Sequence, residues 1–140
     1  MKTLTVHASE TYDILIGENI LASALARFAG SGRFCLVTDS NVEPLYGDLV
    51  RGLLKAHGSV SGFTFPAGEP SKTLGTFSLL LEHLASAGLT RSDTVVALGG
   101  GVTGDLAGFA ASCYLRGVRV LQIPTTLLAM IDSWVGGKTG

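Results

Sequence analysis

The stretch Asp93-Thr-Val-Val-Ala-Leu-Gly-Gly-Gly-Val-Thr-Gly-Asp105 decides the fold. Residues 94–98 are a short apolar run ending in glycine, which predicts a buried strand. A helix is predicted over 105–115, beginning where the glycines stop. The first backbone N–H groups of such a helix have no partner inside it and lie at the positive end of its dipole. A phosphate suits that place. Gly99, Gly101 and Gly104 match G-x-G-x-x-G in the strand–turn–helix context that a dinucleotide loop needs. Two details depart from the usual version. The motif comes late in the chain, and the next strand, 118–123, ends in Pro124-Thr125-Thr126 with no acidic residue for a ribose. The bland alternative is a tight turn whose glycines only let helix and strand pack closely.

Outward from this motif, 4–7 and 12–16 alternate like two short strands joined by a polar turn, an N-terminal β-hairpin. Residues 18–29 carry the helical stripe Ile20, Leu21, Ala24, Leu25 and Phe28. The strand 34–37 ends at Thr38-Asp39-Ser40-Asn41, and a helix over 45–56 is closed by Gly58. The strand 60–65 precedes Pro66-Ala-Gly-Glu-Pro70, and a long helix over 71–87 is predicted to use Ser71 as its cap. The alternation predicts an α/β, Rossmann-like fold: one domain over 1–140, its parallel sheet covered by helices on both faces. Ligands of such sheets lie beyond the carboxyl ends of the strands. There the polar residues gather: Asp39 and Asn41, Glu69 and Lys72, the glycines, then Thr125 and Thr126. Singly these are ordinary turns and caps, but their shared edge favours a nucleotide.

With 140 residues the chain is long enough for one domain with a real core. Hydrophobic residues at 46% against 15% charged exclude disorder and point to an apolar face that meets another domain or subunit. A net charge of −1 without a basic cluster argues against nucleic acid or an anionic membrane as partner. No long apolar span or signal-peptide core is present, so the cytoplasm is the expected compartment. Cys35 and Cys113 lie inside apolar elements and are expected to be buried thiols. His7, His57 and His83 are isolated, and no metal site is expected from these residues. Gly136-Gly-Lys138-Thr139 resembles the end of a P-loop, but the first glycine of that motif falls on Asp132 and no strand precedes it. Lys138 is then a lysine in a glycine turn, solvated in the bland reading. Asp132, on an otherwise apolar helix, is harder to assign to plain surface.

The run 99–111, with Leu115-Arg-Gly-Val118, Pro124-Thr-Thr-Leu-Leu-Ala129, Asp132-Ser133 and Gly136-Gly-Lys-Thr-Gly140, strongly resembles the 3-dehydroquinate synthase family of sugar-phosphate cyclases. Gly68, Glu69 and Lys72 match that family's second nucleotide loop. The resemblance implies a two-domain homodimeric lyase of the shikimate pathway, which leads to chorismate and the aromatic amino acids. Such an enzyme turns 3-deoxy-arabino-heptulosonate 7-phosphate into 3-dehydroquinate and phosphate, with NAD as a recycled oxidant and a divalent metal, zinc or cobalt. It implies that Gly100, Gly101, Val102 and Asp105 bind the dinucleotide, with Asp39, Asn41, Glu69, Lys72, Thr125 and Thr126 around its riboses and nicotinamide. Asp132 would orient a substrate hydroxyl, Lys138 would stand near phosphate and cofactor, and Arg116 would reach substrate phosphate across the dimer. Two departures accompany it. Trp134 stands where the family has a serine, and the family's metal ligands belong to a helical domain that would follow Gly140. These 140 residues are therefore expected to supply the NAD-binding part and to lack turnover alone; the alternative is an inactive nucleotide-binding or dimerisation module.

Overall fold

A computed structural model describes residues 2–7, 11–16 and 20–125, with side chains from 21 onward. The elements in chain order are β1 (Lys2–His7), β2 (Thr11–Ile16), α1 (Ile20–Phe28), β3 (Gly32–Asp39), α2 (Asp48–Leu54) and β4 (Gly58–Phe65). Then come α3 (Leu74–Ser86), β5 (Thr94–Gly99), α4 (Gly101–Cys113) and β6 (Arg119–Pro124). β1 and β2 form the expected antiparallel pair. The other four strands form one parallel sheet in the order β4-β3-β5-β6. From β3 the chain steps outward to β4, then crosses back to β5 and continues to β6. That reversal opens a crevice between the carboxyl ends of β3 and β5, where α/β sheets take their ligands.

Side chains of the two central strands alternate between two cores, as the period of a strand requires. Cys35, Val37, Val95 and Ala97 face α3 and α4, meeting Leu80, Leu84, Leu106, Ala107 and Ala110. Phe34, Leu36, Val96 and Leu98 face α1 and α2, meeting Leu25, Ala29, Val50 and Leu54. β5 is buried along its whole length. Each large apolar side chain so buried contributes about 1.5–3 kcal/mol, which makes this strand the rigid base of whatever its end carries. Its entry is pinned by Asp93, whose carboxylate accepts hydrogen bonds from the backbone N–H of Arg33 and Thr90 at 2.8 and 2.7 Å.

Several boundaries differ from the sequence expectation. α4 starts at Gly101, inside the glycine cluster, not at Asp105. Its inner face of Thr103, Leu106, Ala107, Ala110 and Ala111 is buried, and that packing offsets the roughly 1 kcal/mol helix penalty of Gly104 and of Gly108. α3 is capped by Thr73, whose side chain accepts from the Thr76 N–H, and not by Ser71, whose hydroxyl instead donates to the Pro66 carbonyl. α2 is shortened to Asp48–Leu54 because a π-helical turn over Glu43–Gly47, with Pro44 near its start, takes the preceding residues. Gly58 opens β4 instead of closing that helix; a Cβ there would lie 1.8 Å from the Gly32 carbonyl oxygen. Cys35 is buried as expected, but Cys113 is exposed, since it lies on the outer side of the last turn of α4.

Candidate functional site

The β3–β5 crevice is built from the strand ends outward. The Thr38 hydroxyl donates to the Leu98 carbonyl at 2.7 Å, clamping the two central strands just before they end. Asp39 then turns the chain: one oxygen of its carboxylate accepts from the N–H groups of Asn41 and Val42 at 2.9 and 2.8 Å. The turn role open to Asp39 from sequence is therefore real, and its second oxygen and the exposed Asn41 remain at the edge. Ser40 joins this turn to the neighbouring one. Its N–H donates to the Phe65 carbonyl at 2.8 Å, and its Oγ accepts from the Ala67 N–H at 2.9 Å. The sequence reading passed over Thr38 and Ser40, because their partners lie 60 and 27 residues away.

Opposite Asp39, β5 ends at Gly99 and α4 begins without a side-chain cap, with Gly100 in an extended conformation. The first helical bond there is Gly104 N–H to the Gly100 carbonyl, so the N–H groups of Gly101, Val102 and Thr103 precede the helical ladder. A Cβ on Gly100 or on Gly101 would have no neighbouring atom of the described residues within 4 Å. Open space therefore stands directly over the uncapped, positive end of a 13-residue helix. Such a place suits an anion. Gly99 is different: a Cβ there would sit 2.6 Å from the Thr103 Oγ1. Pro124 pairs with Gly99 in register, which brings half-exposed Thr125 to the same end of the sheet.

The third loop supplies the charge. Lys72 Nζ lies 2.7 Å from Asp105 Oδ2, linking the segment after β4 to the second turn of α4. The Asp105 hydrogen bond and charge, aided by Glu69, raise the Lys72 ammonium above its ordinary pKa. Both partners are well exposed, so this pair is a weak tether that a ligand can rearrange. A groove of ≈ 350 Å³ between α3 and α4 adjoins the pair and is floored by Phe77, Leu106 and Phe109. It lies beside the crevice and not within it.

The structure thus gathers Asp39, Asn41, Glu69, Lys72, Gly100, Gly101, Val102, Asp105 and Thr125 at one edge. It does not bring Arg116 there. Arg116 follows the far end of α4, which at 1.5 Å per residue puts it about 20 Å from the glycines, beside the amino edge of the sheet. Leu115 and Arg116 both adopt positive φ, 49° and 65°, and among the described residues Arg116 makes no ion pair or hydrogen bond. Thr126, Asp132, Trp134 and Lys138 lie outside the described residues. No group of three His, Cys, Asp or Glu side chains able to hold a metal occurs among the described residues. No helix among them is long and apolar enough to cross a membrane.

The family model described as 3-dehydroquinate synthase N-terminal matches residues 62–140, more than half of the chain. The chain belongs to the 3-dehydroquinate synthase family. Curated relatives carrying that name include those of Alkaliphilus metalliredigens, 47% identical over 100% of this chain, and Streptococcus sanguinis, 51% identical over 92% of it. The chain spans 39% and 38% of their respective lengths. Among solved structures, it is similar to 2-deoxy-scyllo-inosose synthase in complex with carbaglucose-6-phosphate, NAD⁺ and Co²⁺, with a TM-score of 0.79 and 28% identity. That match covers 89% of this chain and 35% of the other. It is also similar to 2-epi-5-epi-valiolone synthase from Streptomyces hygroscopicus with NAD⁺ and Zn²⁺ bound, with a TM-score of 0.71 and 32% identity over 93% of this chain and 37% of the other. Glycerol dehydrogenase from Schizosaccharomyces pombe, at 17% identity and a TM-score of 0.63, shares the fold.

Proposed function

We propose that this chain is the NAD-binding part of a 3-dehydroquinate synthase, which converts 3-deoxy-arabino-heptulosonate 7-phosphate into 3-dehydroquinate and phosphate. The observation that carries the reading is the uncapped start of α4 beneath the open space over Gly100 and Gly101, at the reversal point of the sheet. In this reading the diphosphate lies against the N–H groups of Gly101 and Val102, where a fixed dipole favours negative charge without a cationic side chain. Lys72, released in part from Asp105, and the edge residues Asp39, Asn41, Glu69, Asp105 and Thr125, joined by Thr126, hold the ribose hydroxyls and the nicotinamide. Several modest contacts of this kind keep a recycled cofactor oriented against its substrate. The chemistry that NAD supplies when bound is reversible hydride transfer, which acidifies a neighbouring C–H and permits loss of phosphate. Asp132 and Lys138 are assigned to the substrate and its phosphate.

Arg116 lies too far from the glycines of its own chain to serve the same site. Its positive φ and its lack of a partner among the described residues support a homodimer in which it reaches substrate phosphate in a second copy, its planar fork matching phosphate oxygens. The described residues do not by themselves fit the divalent metal implied by the family. Calorimetric titration with NAD tests the reading. Saturable binding that weakens on Asp105→Ala is expected; no binding at millimolar NAD refutes it.

A further inference from the structure

α3 and α4 begin alike, each after a turn at the same edge of the sheet, yet they treat their first N–H groups differently. α3 satisfies one through Thr73 Oγ1, which accepts from the Thr76 N–H at 3.1 Å. α4 has a threonine too, at its third position, but that side chain is turned inward. Thr103 is 1% exposed, and its Oγ1 is buried without a hydrogen-bond partner among the described residues. The hydroxyl is aimed at the glycine turn and not at the apolar core, since Oγ1 would sit 2.6 Å, and Cβ 2.9 Å, from a Cβ on Gly99. A hydroxyl carries one donor and two acceptor sites, and leaving all of them dry is unfavourable. Valine would occupy the same space without that cost. The hydroxyl lies beneath the glycine turn, next to the backbone of Gly100 and Gly101 on which the diphosphate is proposed to settle.

We infer that Thr103 is a positioning residue for the diphosphate: its hydroxyl bonds to the backbone of the Gly99–Gly101 turn when that turn closes on the anion, and has no partner before it does. The inference rests on the nucleotide reading above and adds a residue to that site. Thr103 does not touch the ligand. It biases the turn toward the bound arrangement, because only that arrangement gives the buried hydroxyl a partner.

A built-in control exists at the other end of the same strand. Thr94 Oγ1 is also buried without a partner, in a residue 1% exposed, but it stands at the start of β5, remote from the turn. The experiment compares Thr103→Val, Thr103→Ser and Thr94→Val with the parent by melting temperature and by calorimetric NAD affinity. Both valine variants are expected to melt higher. Thr103→Val alone is expected to bind NAD about tenfold more weakly, the value of one lost hydrogen bond, while Thr103→Ser binds within about twofold of the parent even where its missing methyl lowers the melting temperature. NAD affinity unchanged in Thr103→Val overturns the inference, as does an equal loss in Thr103→Ser or in Thr94→Val. A parent that does not bind NAD overturns the nucleotide reading itself, an outcome distinct from a parent that binds and a Thr103→Val that binds as well.

Discussion

Adjacent glycines in the loop after β5 are expected to respond oppositely to the same substitution. Gly99→Ala places a methyl 2.6 Å from Thr103 Oγ1, 2.9 Å from its Cβ and 3.3 Å from its Cγ2. A β-branched side chain on a buried helix face cannot rotate clear, so the first turn of α4 has to move. Overpacking of that kind costs about 1–3 kcal/mol. Gly101→Ala meets nothing within 4 Å and replaces glycine at the first position of the helix, which stabilises by up to about 1 kcal/mol. For a chain of this length 1 kcal/mol corresponds to about 2–4 °C. Gly99→Ala is therefore expected to melt about 2–12 °C lower, and Gly101→Ala no lower than the parent and up to about 4 °C higher. Binding should invert the order of concern. The new methyl on Gly101 stands in the space assigned to the diphosphate and obstructs charge-assisted hydrogen bonds worth about 1.5–3 kcal/mol each, so NAD affinity should fall at least about tenfold. Thermal denaturation followed by circular dichroism, paired with calorimetric titration of the same samples, reads both quantities. A Gly101→Ala protein that binds NAD like the parent would refute the anion cradle, and an unshifted Gly99→Ala would refute the packing described for Thr103.

Three further outcomes are expected. Burial alone would raise the Asp93 carboxyl, but hydrogen bonds from the Arg33 and Thr90 backbone and the Thr90 hydroxyl outweigh it and hold the group below its ordinary range. Its contribution to stability is therefore complete above about pH 4 and disappears as pH falls through the lowered value; chemical denaturation should show Asp93→Asn about 1–3 kcal/mol less stable at pH 7, with the gap narrowing in acid. Leu115 holds φ 49° with its side chain 48% exposed, so Leu115→Gly is expected to gain about 1 kcal/mol from relieved left-handed strain, and a lower melting temperature would show that its packing outweighs the strain. Exposed Cys113 should react with a thiol reagent in the native protein at pH 8, whereas Cys35, buried and pushed up to about 11, should react only on unfolding; mass spectrometry of the labelled peptides separates the two.

Local pattern alone carried much of this protein. The uninterrupted apolar run of β5, the helical stripe of α1 and the glycine spacing after Leu98 each follow from steric and hydrophobic rules acting within a few residues, so the α/β class and the gathering of candidate site residues at the carboxyl edge were legible in the chain. Linked motifs over most of its length made the family legible too. Pairings between distant segments were not. That α4 begins at Gly101 depends on Thr103, Leu106 and Ala110 finding a buried face, which overrides the poor helix propensity of glycine. That Lys72 meets Asp105, that Ser40 holds the turn at Ala67, and that Cys113 faces outward depend on which strands are neighbours. Strand order is decided by how two helices can cover each face of a twisted sheet, and no short stretch of sequence records it. The fold likewise sends Arg116 to the edge opposite the glycines, because a helix returning between parallel strands separates its two ends by its own length.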